Sequence, residues 1–393
     1  MAKKKASLPT VLALAVGILD VLGKAFGERG GVPPTFPFVA VDVGLRQENG
    51  TFSEEWMDKF SGDAVGCVGS AKDPYLWRPA GYGSNINNML LVWADAILEG
   101  RNDASVITQT GRYFSRTTCD VESNGVETRG GWHCIFAAVP HLCAFDSDKD
   151  WTKFNNRHHV SANDMKEGGG LKDITVIRNR RTSTEQSLAA LGYSMLEVMA
   201  MLHNLLHTHI QPWFKADVQA ILDEPDIAAM RSGKYVGVHI RRTDKANEVQ
   251  PVQTKAYLAK AANYLASPTN DLSATNITGM WVSSDDEAVF DEVKELASEF
   301  FPGVAPNAVL YVTGGKPVQL MRGAADRNSY EAMVYLRAEL EMLAGSAVFS
   351  GTFSSNVGRM VALMRKTLDM PDESAVSVDF PAWFAGRQRH RRE

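Results

Sequence analysis

The chain has 393 residues, with 41 Lys and Arg against 46 Asp and Glu, a formal net charge of −5, and 45% hydrophobic residues. This length and balance predict an ordinary globular protein of two domains with a sizeable core. The acidic balance argues against a general nucleic-acid binder. Cys67, Cys119, Cys134 and Cys143 all lie in the first half and none forms a CxxC pair, which argues against a zinc site. One or two disulfides stay open if the chain is lumenal.

The first 30 residues read as a leader. "MAKKKASLPTVLALAVGIL" has a basic start and an apolar run of about twelve residues, short for a membrane span. A signal peptide, a weak signal anchor and an amphipathic helix packed on the body all fit it. Asn49 with Thr51, and Asn276 with Thr278, match the N-glycosylation sequon.

Residues 31–232 are expected to form a first α/β domain. "FVAVDVGL" and "ASVIT" read as strands, and "SNINNMLLVWADAILEG" as a helix capped by Ser84 and ended by Gly100. Two polar, Gly-rich stretches, "SRTTCDVESNGVETRGGW" and "HVSANDMKEGGGLKD", read as long loops. "RPAGYGSNINNML" is a glycine turn leading into a helix. It lacks the spacing of a full phosphate loop, but Gly81 and Gly83 permit close backbone approach to a substrate. Ser183 and Gln186 have capping-box spacing and open a predicted long helix with Leu188, Leu191, Met195, Leu196, Met199 and Leu202 on one face. His203 and His207 are four apart on it, without the glutamate of an HExxH site.

Residues 233–380 alternate strand and helix: "KYVGVHI", "TKAYLAKAANYLA", "ITGMWVSS", "DEAVFDEVKELASEF", "NAVLYVT", "SYEAMVYLRAELEMLAG", "SAVFSG" and "SSNVGRMVALMRKTL". This order predicts βαβ units and a parallel, Rossmann-like sheet. Residues 381–393 form a basic tail. Ligands of open α/β sheets bind at the carboxyl ends of strands. Three strand ends here carry polar clusters: "HIRRTDKANE", "VSSDDE" and "GTFSSNVGR". All three are expected on one rim.

Arg241 and Arg242 offer permanently charged forks suited to phosphate oxygens. Strand alternation sends His239 and Arg241 to one side and Arg242 to the other, so that one arginine faces a ligand while the other ties the domains together. The alternative is a surface network with Asp244 and Glu248. In the third cluster, amides at a helix start bind anions and Ser354 or Ser355 adds a hydroxyl donor, or one of them caps the helix. Asp285 and Asp286 have the look of a metal pair. A carboxylate at a helix start is also stabilised by the dipole, which favours capping and scaffolding.

Taken together, "VGVHIRRTDK", "WVSSDD" and "TFSSNVGR" resemble, in order and separation, the three motifs of the α-1,6-fucosyltransferase family that adds core fucose to N-glycans. "AGYGSNINN" is similar to that family's N-terminal glycine motif, and "GRYFS" with "RGGW" to its next block. The resemblance runs from about Arg78 to Leu368. It implies a GT-B-like, inverting enzyme that uses GDP-fucose as donor and a glycan or glycoprotein as acceptor, with no metal or other cofactor and no nucleic acid. It implies that His239 contacts the guanine nucleotide, Arg241 the β-phosphate and Ser355 the diphosphate, with Ser354, Gly81 and Gly83 nearby. Tyr113 falls where the family has an aromatic residue against the nucleotide, and Glu339 where it has a nucleotide-binding aspartate. Arg242, Asp244 and Lys245 form the network around the site, and Asp285 and Asp286 match the acidic pair. Glu248 is the candidate base, one residue closer to Lys245 than the family pattern. That shift also fits a chitin-type or protein O-linked acceptor, or a non-catalytic nucleotide- or carbohydrate-binding homologue. The resemblance further implies a short type II anchor into the Golgi membrane. The residues after Thr367 are too few for the SH3-like domain of animal members, and no long coiled-coil stem is expected.

Overall fold

A computed structural model describes residues 75–76, 82–98, 106–107, 135–136, 142–143, 184–190, 192–242, 252–268, 273–311, 330–380 and 383. The chain divides after Val43, and every described residue belongs to the second part. The leader, the strand expected at "FVAVDVGL", both long loops and the basic tail lie outside the described residues.

The second half is a five-stranded sheet of β4 (Tyr235–Ile240), β5 (Gly279–Ser284), β6 (Val309–Leu310), β7 (Val348–Gly351) and β8 (Ala375–Ser377). Every pair is parallel, and the order is β6-β5-β4-β7-β8. Renumbered from β4, this is the 3-2-1-4-5 order of a doubly wound sheet. Its crossovers change direction between β4 and β7, so the crevice outside those two carboxyl ends is the switch point where ligands bind.

Alternation along the strands divides the core into two. Val236, Val238 and Ile240 of β4, with Met280 and Val282 of β5, pack against α6 (Thr254–Leu265) and α7 (Ala288–Phe300). Tyr235, Trp281 and Phe349 face the opposite side and share a core with α8 (Tyr330–Gly345) and α9 (Asn356–Thr367). All six residues of β4 and of β5 are buried, as covering both faces of a parallel sheet requires.

The first half contributes α1 (Tyr82–Leu98), α2 (Thr184–Ala190), α3 (Met195–Thr208), α4 (Pro212–Leu222) and α5 (Pro225–Ser232). A small parallel sheet joins β1 (Tyr75–Leu76), β2 (Val106–Ile107) and β3 (Leu142–Cys143). Ile86, Met89 and Trp93 of α1 and Met199, Leu202 and Leu206 of α3 are buried in the same core as α8 and α9.

Two helix expectations are corrected. The long helix predicted from Ser183 is two helices, α2 and α3, meeting at a 101° bend. Gly192 takes the left-handed region at φ 81°, which ends one helix, and a capping box of Ser194 and Glu197 opens the next. In that box Glu197 N–H donates to Ser194 Oγ at 3.1 Å, and Ser194 N–H donates to Glu197 Oε2 at 2.9 Å. The other correction is Ser84, which lies inside the first turn of α1 rather than capping it, because the helix begins at Tyr82. Among the described residues no single helix is long and apolar enough to cross a membrane.

Candidate functional site

The three polar clusters meet on one rim. Ile240 pairs with Ser284, and Val238 with Ser350, so the residues after β4, β5 and β7 leave the sheet side by side. Arg241 and Arg242 follow β4, Asp285 and Asp286 follow β5, and Thr352 to Ser355 follow β7 into α9.

Arg241 and Arg242 diverge as alternation requires. Arg242 turns toward α6 and α7, where Nη1 and Nη2 donate to Glu292 Oε1 and Oε2 at 2.7 and 2.6 Å. Nη2 also donates to Thr254 Oγ1 at 2.7 Å. This two-pronged bond to Glu292 raises the Arg242 pKa above its ordinary value and lowers that of Glu292. The expectation that Arg242 ties two domains together is corrected, since Glu292 and Thr254 both belong to helices of the same α/β half. Its role is to fasten α6 to α7 beneath the rim.

Arg241 stays partly exposed at the switch point, with 27% of its side chain accessible and Nε 4.0 Å from Asp285 Oδ2. Asp285 is almost buried and accepts the Arg242 backbone N–H on Oδ1 at 2.7 Å. One carboxylate thus fixes the backbone of one arginine and flanks the side chain of the other. Asp286 accepts the Ala288 N–H at 3.1 Å, closing the first turn of α7, and its Oδ2 lies 3.7 Å from Arg242 Nη1. Asp285 thus serves the two arginines, and Asp286 serves the first turn of α7 and Arg242. Among the described residues no three His, Cys, Asp or Glu side chains stand together as a cation site.

His239 and Ser283 are partners in the β4–β5 register and face α8. Both are fully buried, and Ser283 Oγ donates to the buried Glu339 Oε2 at 3.0 Å. Glu339 is therefore a buried carboxylate under the β4–β5 strand ends.

The β7–α9 turn supplies the clearest unfilled polar group. Ser355 occupies the N-cap of α9, yet its side chain makes no capping bond. Its hydroxyl is buried and has no hydrogen-bond partner among the described residues. The first amides of any helix lack intrahelical acceptors and carry the positive end of its dipole. Ser355 thus places a buried hydroxyl without a partner among the described residues at the positive end of the α9 dipole. The Ser354 N–H, in contrast, is taken by Asp379 Oδ2 at 3.1 Å.

Gly83 also reaches this place, but its close neighbour is α9. A Cβ there would stand 3.0 Å from Met360 Sδ and 3.3 Å from the Asn356 carbonyl carbon. Asn87 Nδ2 donates to Asn356 O at 3.2 Å and reinforces the contact. Gly83 thus lets α1 dock on α9, setting two helix starts side by side. Gly81, Tyr113, Asp244, Lys245 and Glu248 lie outside the described residues. Sequence reasoning missed Glu292, Thr254 and Asp379, which hold the rim from behind. Their partners are distant in sequence, so no local motif marks them.

No protein-family model matches the chain, and no curated protein does. Among solved structures it is similar to the NodZ α-1,6-fucosyltransferase soaked with GDP-fucose, at 16% identity and TM-score 0.41, over 74% of this chain and 91% of that one. It is similar to POFUT1 in complex with GDP-fucose at 11% identity and TM-score 0.41, over 76% and 95%. A variant of FUT1 from Arabidopsis thaliana in complex with GDP aligns at 12% identity and TM-score 0.43, over 79% and 73%. These three structures are fucosyltransferases. Identities and scores this low carry no function across, so the functional reading rests on the residues of this chain.

Proposed function

We propose that this chain is an inverting, metal-independent fucosyltransferase that moves fucose from GDP-fucose to a core N-acetylglucosamine of an N-glycan in α-1,6 linkage. The observation that carries the reading is Ser355, a buried hydroxyl without a partner among the described residues, at the start of α9 and next to the switch point of a 3-2-1-4-5 sheet. A nucleoside diphosphate supplies the acceptors that such a place lacks. Arg241 stands on the adjoining strand end, and the sequence motifs around it resemble those of core fucosyltransferases.

Transfer breaks the bond between the sugar C1 and the β-phosphate oxygen while an acceptor oxygen bonds to C1 from the opposite face. Negative charge grows on the departing diphosphate. Arg241, the Ser355 hydroxyl and the α9 amides are preorganised to stabilise it, which supplies the charge that a divalent cation otherwise would. A carboxylate must take the acceptor's hydroxyl proton, and Glu248 is the proposed base. Asp285 acts as a positioning residue for Arg241.

The test is an assay of the full chain with labelled GDP-fucose against N-glycan cores, chitooligosaccharides and a protein O-linked acceptor, with and without EDTA. The expected result is label on the innermost N-acetylglucosamine in α-1,6 linkage at a rate unchanged by EDTA. Label on another acceptor overturns the acceptor assignment alone. Loss of transfer in EDTA, restored by Mn²⁺, overturns the scaffold role of Asp285 and Asp286. GDP binding without any transfer identifies a non-catalytic homologue.

A further inference from the structure

Resting on the donor reading above, we infer that Asp379 is a positioning residue of the diphosphate site, acting through the β7–α9 loop. The register places it there. Gly351 pairs with Ser377, and the Val378 N–H donates to Gly351 O at 3.0 Å, so Asp379 lies across from Phe353 just beyond the end of the sheet. Its Oδ1 accepts the Phe353 N–H at 2.9 Å, and its Oδ2 accepts the Ser354 N–H at 3.1 Å. Ser377 Oγ and the Phe380 N–H each donate to Oδ1, both at 2.7 Å, which fixes the carboxylate. Ser377 Oγ also accepts the Phe353 N–H at 3.2 Å.

Two successive amides of the loop immediately before Ser355 are therefore gripped by one side chain from the segment after β8. The loop is also packed: Thr352, Phe353 and Ser355 are buried, and Phe353 and Trp383 belong to the core shared with α8 and α9. Phe353, Ser377, Phe380 and Trp383 border a cavity of about 450 Å³ as well. The carboxylate also saturates the Phe353 and Ser354 amides, so an arriving anion meets Ser355 and the α9 amides instead. Asp379 thereby sets where the diphosphate sits without touching it. An asparagine at this position keeps one acceptor oxygen, but it turns an NH2 group toward an amide N–H and loses the charge.

The experiment is calorimetric titration of GDP into the full chain and its Asp379→Asn and Ser377→Ala variants, together with donor and acceptor KM and thermal midpoints. The expected result is GDP binding weakened by about tenfold in Asp379→Asn, since a charge-assisted grip on two amides is lost. The donor KM rises with it and the acceptor KM stays constant. Ser377→Ala, which leaves the carboxylate in place, shows a smaller shift in the same direction and keeps the test alive if Asp379→Asn does not fold. Unchanged GDP affinity in both folded variants overturns the inference. So does a loss in which donor and acceptor KM rise together with a lowered thermal midpoint, because that is a purely structural effect. Failure of the wild-type chain to bind GDP brings down the donor reading itself, before either variant is compared.

Discussion

Arg242 gives both terminal nitrogens of its guanidinium to Glu292, at 2.7 and 2.6 Å, while Nε of its neighbour Arg241 stands 4.0 Å from Asp285 Oδ2 on the rim. One dipeptide thus divides two duties. Alternation past the end of β4 sends the first arginine to the rim of the candidate site and the second to the scaffold.

Loss of the Arg242–Glu292 pair should therefore read out in stability before it reads out in chemistry. Both side chains are partly exposed, at 20% and 39%, so water screens the pair. Arg242→Met is expected to cost about 1–2 kcal/mol, mostly through the hydrogen bonds left unmade. Differential scanning calorimetry should show a midpoint lowered by a few degrees. An unchanged midpoint would show that α6 and α7 do not need this fastener.

Arg365 is a heavier structural commitment. It is 1% exposed and donates to the carbonyls of Ala344, Ser346 and Ala347 at 2.9, 2.6 and 3.4 Å. A further bond goes to Ser374 Oγ at 2.5 Å. Burial lowers its pKa to about 10, so it remains charged at neutral pH and meets the negative end of the α8 dipole. Arg365→Met leaves those carbonyls buried without donors and is expected to cost about 3–5 kcal/mol. Chemical denaturation should show it, and a change below about 1 kcal/mol would contradict the account.

The pH response of stability should carry the mark of His203. Its ring is buried against His207, with centroids 3.9 Å apart, and neither nitrogen has a hydrogen-bond partner among the described residues. Burial, and then the nearby Arg337 charge, push its pKa from 6.5 down to about 3. The unfolded chain takes a proton near pH 6.5 that the folded ring refuses until about 3. The contribution is fully present above 6.5 and is lost as pH falls through that window. His207, lowered by burial and by the same arginine, adds in the same sense. His203→Leu is expected to reduce the slope of unfolding free energy between about pH 6 and 4 by up to about 1.4 kcal/mol per pH unit. Denaturant titrations across that range would measure it, and an unaltered slope would refute the assignment.

Much of this was legible in the sequence because the governing signals are local. β4, β5, β7 and the helices α6 to α9 announce themselves by apolar period and by the turns between them, and their polar ends reveal the rim. β8 was not legible, since three half-buried residues carry too little pattern. Its absence from the sequence reading also hid Asp379. The break between α2 and α3 was masked because the Leu and Met stripe continues in phase across Gly192, although the Ser194 and Glu197 box was there to be read. Gly83 has the chemistry of a glycine that permits close approach, and its contact with Asn356 and Met360 is tertiary, so no local signal announces it. Glu292 lies 50 residues from Arg242, beyond the reach of any motif.

The most direct test of the central claim, that the rim beside Arg241 and Ser355 binds a nucleoside diphosphate, is to compare GDP with GMP by calorimetry on the wild-type chain and on Arg241→Ala. The account predicts that GDP binds the wild type at least about tenfold more tightly than GMP, through charge-assisted bonds to the terminal phosphate. It also predicts that Arg241→Ala removes most of that difference while leaving the thermal midpoint in place. Equal affinities for GDP and GMP in the wild type, or a difference that survives in Arg241→Ala, would contradict it.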